Sequence, residues 1–151
     1  MTASGAGGHE LRDGGATSRA LVILGAGGFV GRAVIGLVDH SLPVKAVVCS
    51  VSSTDRPIPA GVTWKEADLS RPGWEETVLE PGDVVVNLAD VSSAGEEKSL
   101  QLIDSIIRGC QMRRVERLLH CSTAAVVGTA SSHRVTEATT CEPLTPYERT
   151  K

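Results

Sequence analysis

Aromatic residues are scarce in this chain of 151 residues: two Trp, one Tyr and one Phe, 3% of the total. That leaves few platforms on which the bases of a single-stranded nucleic acid could stack. Positive charge is not in excess either. A formal net charge of −3 gives no attraction to nucleic acid or to an anionic membrane surface, and neither is expected as a partner. No apolar run approaches the roughly 18 residues of a membrane span. The N-terminal stretch MTASGAGGHELRDGGATSRA lacks the apolar core of a secretory signal. The four cysteines, Cys49, Cys110, Cys121 and Cys141, are far apart and form no CxxC or Cys/His cluster, so no zinc or other metal site is expected. Cys49 and Cys121 lie in apolar runs and read as buried thiols of a protein in the reducing cytoplasm.

What is present is the composition of a soluble globular domain, 41% hydrophobic and 22% charged, long enough for one real core. Residues 1–19, with Gly5, Gly7, Gly8, Gly14 and Gly15 among small polar residues, read as a disordered tail. Residues 20–151 read as the domain. ALVIL is a buried strand, FVGRAVIGLVDH a helix, VKAVVCS a second strand and VTWKEADL a third. RPGWEETVLEPGD is a short helix closed by Pro81-Gly82, and DVVVNLAD is a fourth strand. EEKSLQLIDSIIRGCQMRR is a long amphipathic helix with Leu100, Ile103, Ile106 and Ile107 on one side. ERLLHCST is a fifth strand, followed by a loop to Pro146, where another helix begins. Strands alternating with helices imply an α/β fold, a parallel sheet covered on both faces.

The segment GAGGFVG sets Gly25, Gly28 and Gly31 three apart, after a strand and before a helix. The first glycine allows a sharp turn, the second lets backbone approach a pyrophosphate, and the third lets the helix pack closely on its strand. The amides at the helix start then face the phosphates. The spacing is GxxGxxG rather than GxGxxG, because Val occupies position 30; the flanking strand and helix supply the context for dinucleotide binding. About 20 residues further on, where an acid would hold the adenine ribose of NAD, stand Cys49 and Ser50, with Ser52 and Arg56 nearby. The missing carboxylate leans towards NADP over NAD, with Arg32 a further candidate phosphate partner.

The last six residues are PYERTK, with Tyr147 and Lys151 four apart on what would be one helix face. With the glycine turn, ADL (67–69), NLA (87–89) and CSTAAVVG (121–128), they make five motifs in order. Over residues 20–151 the chain resembles the N-terminal part of the extended short-chain dehydrogenase/reductase family, the NAD-dependent epimerase/dehydratase type. The resemblance implies a Rossmann-type doubly wound parallel sheet, truncated at its C-terminal end and without the substrate domain. It implies a cofactor site of Gly25, Gly28, Phe29, Val30, Gly31, Ser50, Asp68, Leu69, Leu88 and Ala89, with the Asp68 carboxylate on the adenine amino group. Tyr147 would be the general acid/base, Lys151 would stabilise its phenolate and hold the nicotinamide ribose, and Thr123 would hydrogen-bond the reacting oxygen. The implied reaction is hydride transfer by an NAD(P)-dependent epimerase, dehydratase or ketoreductase, on a nucleotide sugar or related hydroxy/keto compound. A homodimer of the longer parent is also implied.

The chain departs from the family pattern in four places. Ser99 stands where the long helix commonly carries an Asn, Asp90 where a small residue follows NLA, and Val127 where a Tyr precedes the glycine. The sequence also stops at Lys151, inside the expected active-site helix, where a last turn should fray and an α-carboxylate would oppose the effect of the ammonium. Two further readings therefore stand beside the enzyme: a chain that binds the dinucleotide without performing chemistry, and a truncated reading frame without independent function.

Overall fold

In the computed structural model, which describes residues 19–39, 41–49, 59–128 and 134–151, five strands form one parallel sheet. They are β1 (Leu21–Leu24), β2 (Val44–Val48), β3 (Val62–Glu66), β4 (Val84–Asn87) and β5 (Arg117–His120), in the order β3-β2-β1-β4-β5. The helices are α1 (Phe29–Leu37), α2 (Trp74–Val78), α3 (Glu96–Met112) and α4 (Pro146–Arg149). This is the strand order of a Rossmann-type sheet. Residues 1–18 of the expected tail, and Ser50, Ser52 and Arg56, lie outside the described residues.

The central strand explains the two-sided core. Successive side chains of a strand point to opposite faces, and in β1 both faces are apolar. Val22 and Leu24 join Val85, Trp74, Leu102 and Ile106 under α2 and α3. Ile23 joins Val44, Ala46 and Ile35 under α1. A strand buried on both sides has no polar alternation, which is why LVIL reads as a continuous apolar run.

Two expectations are corrected. Cys49 and Cys121 are exposed, and Cys110 is the buried thiol. The strands before these two end at Val48 and His120, so the cysteines fall just past the strand ends, where the sheet opens to solvent. Burial pushes the Cys110 thiol up from 9.0 to about 11. On α3, the side facing the core carries Ser99, Leu102, Ile106, Gly109 and Cys110, whereas Leu100 and Ile107 are exposed. Gly109 decides this orientation. A Cβ there would lie 2.8 Å from the Trp74 ring, so only a glycine lets α2 and α3 approach. Leu100, Ile103 and Ile107 instead line a smaller groove with Leu118.

At the amino ends of the strands, Asp83 is fully buried and fully engaged. Its carboxylate accepts the Ala20 N–H at 3.0 Å, the Glu80 N–H at 2.9 Å and the Lys45 ammonium at 2.9 Å. Lys45 also donates to the Val78 carbonyl at 3.2 Å. A buried charge with each contact satisfied fixes strand ends without leaving an orphan. The carboxyl ends, by contrast, open into a cleft.

Candidate functional site

The cleft begins where the chain leaves β1. Gly25 has φ +80, and a Cβ on it would lie 2.6 Å from the Ala89 nitrogen. Only a glycine can turn there against the end of β4, which is the point where connections leave the sheet in opposite directions. A Cβ on Gly31 would overlap the Gly25 carbonyl oxygen and lie 2.7 Å from the Ala26 Cα. The start of α1 is thereby drawn onto the turn. Its N-cap, Gly28, offers no side-chain cap, and the first turn carries no acid. The first amides of a helix have no intrahelical acceptor, so those of α1 face the cleft as ready anion donors. Arg32 Nε donates to the Gly27 carbonyl at 2.8 Å, which sets its guanidinium against the same turn.

The end of β4 is held by Asn87, which is buried. Its Oδ1 accepts the Ala89 N–H at 3.0 Å, and its Nδ2 lies 3.0 Å from His120 Nδ1 at the end of β5. With the amide as donor, His120 presents an unprotonated Nδ1. Partial desolvation of the ring against its neighbours, and secondarily the Lys151 charge, hold this histidine below its usual 6.5, although the residue as a whole is exposed. Past β3, the Asp68 carboxylate accepts the Ser70 N–H at 3.0 Å and its hydroxyl, and pairs with Arg71 at 3.2 Å. The Ser70 contacts are the main reason its carboxyl lies below the usual range.

Tyr147 and Lys151 are brought in by a well-capped turn. The Thr145 hydroxyl accepts the Glu148 N–H at 3.3 Å and Glu148 accepts the Thr145 N–H at 3.0 Å, a capping box, with Pro146 leading the helix. The two backbone donors, Thr145 and then Leu144, hold the Glu148 carboxyl low. Arg149 grips Glu96 at the start of α3 through two contacts of 2.9 and 3.0 Å, and this pairing lowers the Glu96 carboxyl. The helix ends at Arg149, and the Lys151 N–H closes onto the Glu148 carbonyl at 3.2 Å, a tighter i to i−3 bond. Ser122 Oγ donates to the Lys151 carbonyl at 2.8 Å. As a result Lys151 Nζ stands 5.6 Å from the centre of the Tyr147 ring and 3.5 Å from an Asp90 carboxylate oxygen. Thr123 caps a short 3-10 turn at Ala124–Val127 by accepting the Ala125 N–H at 3.4 Å. Its hydroxyl proton is left to donate.

The candidate residues of the sequence, Ser50 aside, converge. Gly25, Gly28, Phe29, Val30, Gly31, Asp68, Leu69, Leu88, Ala89, Thr123, Tyr147 and Lys151 all line one cleft of about 960 Å³. Lys98 and Gln101 of α3, Ser70, Cys121 and Ser122 line it as well. The α3 pair has a signal in its i, i+3 spacing, but nothing along the chain says which side of α3 meets the cleft. Ser99 is turned away, with its hydroxyl on the Gly95 carbonyl at 3.0 Å. The glycine cradle, open amides and elongated lining fit an extended phosphate-bearing ligand such as a dinucleotide. Among the described residues no helix is long and apolar enough to cross a membrane.

Comparison with known proteins agrees with this geometry. Residues 21–151 match the model of the NAD dependent epimerase/dehydratase family. Short-chain dehydrogenase/reductase family 42E member 1 of Macaca fascicularis is 27% identical over 118 residues, 71% of this chain and 30% of that protein. A short-chain dehydrogenase/reductase superfamily protein of Agrobacterium tumefaciens, solved with bound NAD, superposes with a TM-score of 0.71 at 20% identity, over 88% of this chain and 42% of the other. The UDP-Glc/GlcNAc 4-epimerase of Campylobacter jejuni gives 0.72 at 19%, over 88% and 46%. These solved structures establish the fold. The chain spans less than half the length of each of these three proteins.

Proposed function

The chain belongs to the NAD-dependent epimerase/dehydratase family, and on that premise we propose that it is the dinucleotide-binding part of an enzyme that works by hydride transfer on a nucleotide sugar or related hydroxy/keto compound. The observation that carries the reading is the single cleft that runs from the glycine turn to Thr123, Tyr147 and Lys151. In it Gly28, Gly31 and the first amides of α1 hold the pyrophosphate, Asp68 takes the adenine amino group, and Lys151 takes the nicotinamide ribose. When bound, the cofactor supplies the site that accepts or returns a hydride. Thr123 donates its hydroxyl proton to the reacting oxygen. Tyr147 removes the proton from a substrate hydroxyl as it becomes a carbonyl, and returns it in the reverse step. Cys49, just past the end of β2, stands where a ribose-binding acid would, which supports NADP over NAD. The nucleotide-sugar class is supported by the fold likeness to the Campylobacter epimerase. Free cysteines, three of the four exposed, support a reducing compartment such as the cytoplasm.

Tyr147→Phe, made in the protein that carries out the reaction, is expected to lower turnover by about 100-fold or more while leaving cofactor affinity intact. Unchanged turnover would reject the proton-transfer role. A binding-only chain is the second reading. It is distinguished by cofactor binding without any turnover.

A further inference from the structure

The charges that line the cleft are unevenly placed. Asp68 lies past β3, Lys98 on α3, and Asp90 and Lys151 lie together with Thr123 and Tyr147 at the far end. Lys151 is the cation that matters there, because its side chain is only 11% exposed and is weakly screened. Asp90 is not a loosely tethered partner. The residue before it, Ala89, is held by Asn87 Oδ1 at 3.0 Å and by the close packing of Gly25. A carboxylate is thus held within 3.5 Å of Lys151 Nζ by the segment that follows β4.

This position has a chemical consequence for the ligand inferred above. An oxidised nicotinamide ring carries a positive charge and a reduced one is neutral. A lone ammonium at the nicotinamide end would therefore disfavour the oxidised form, and a carboxylate paired with it removes that penalty. Resting on the dinucleotide reading of the cleft, we propose that Asp90 is a positioning residue: by holding and neutralising Lys151, it lets the site accept the oxidised cofactor as readily as the reduced one. The carboxylate is 41% exposed, so solvent damps the effect to a few-fold rather than orders of magnitude.

The test is calorimetric titration of the unmodified chain, Asp90→Asn and Asp90→Glu with the oxidised and reduced forms of NAD and of NADP. The quantity read is the ratio of the two dissociation constants, oxidised over reduced, for whichever cofactor binds. Asp90→Asn is expected to raise that ratio by about threefold, and Asp90→Glu, which keeps the charge, to leave it near the unmodified value. An unchanged ratio in Asp90→Asn overturns the proposal. So does an equal weakening of both forms, which would make Asp90 a purely structural residue. If the unmodified chain binds neither form, the dinucleotide reading itself fails and this proposal falls with it.

Discussion

His120, which lines the smaller groove beside α3, shows how one residue can report on folding. Its Nδ1 meets the Asn87 amide at 3.0 Å, and partial desolvation and the nearby Lys151 hold its pKa below 6.5. As pH falls, the unfolded chain takes up this proton before the folded one does. Stability is therefore full above about pH 6.5, declines as pH drops below it, and stops declining once the folded histidine is protonated too. Protonation would also set an N–H against the Asn87 N–H. The melting temperature of the unmodified chain is expected to drop more between about pH 7.5 and about pH 5.5 than that of His120→Gln. Equal drops would mean that the histidine contributes nothing to the pH dependence. His120 is one of the residues that reading along the chain does not find, because its partner is 33 positions away. The same holds for Arg149, whose pairing with Glu96 spans 53 positions. In one dimension such a pair cannot be told from two solvated side chains.

At the scale of elements, the contact between α2 and α3 depends on Gly109. Gly109→Val would drive a branched side chain into the Trp74 ring, which a Cβ alone already meets at 2.8 Å. A loss of about 1–3 kcal/mol is expected in denaturant unfolding, and no loss would show that the helices can separate freely. The elements themselves were legible in the sequence. Leu21–Leu24 and Phe29–Leu37 bracket the glycine turn as read, and Pro146 opens α4. Local signals suffice there, since a period, a glycine or a proline acts on its own neighbours. The buried side of α3 was less legible. Its aliphatics span two faces, and tertiary packing at Gly109 and Cys110 chose between them. Cys49 and Cys121 misled for a related reason, because an apolar run does not say which residue lies one step past the sheet. The short 3-10 turn after Thr123 stood in what read as plain loop.

For the molecule as a whole, the two ends of the sheet differ in kind. The amino ends are closed by Asp83 and Lys45, each contact made within the protein. The carboxyl ends carry the glycine turn, open helix amides and the Tyr147, Lys151 and Asp90 group around one cleft. That polarity is what suits the chain to the binding role proposed for it, whatever the longer proteins of its family build upon it. The most direct measurement is a titration of this chain with NADH and NADPH, followed by nicotinamide fluorescence, beside the Gly31→Val variant. Saturable binding by the unmodified chain, abolished in Gly31→Val while its circular dichroism stays that of a folded protein, is the result expected. No saturation at millimolar concentrations of either cofactor would contradict the assignment of the cleft.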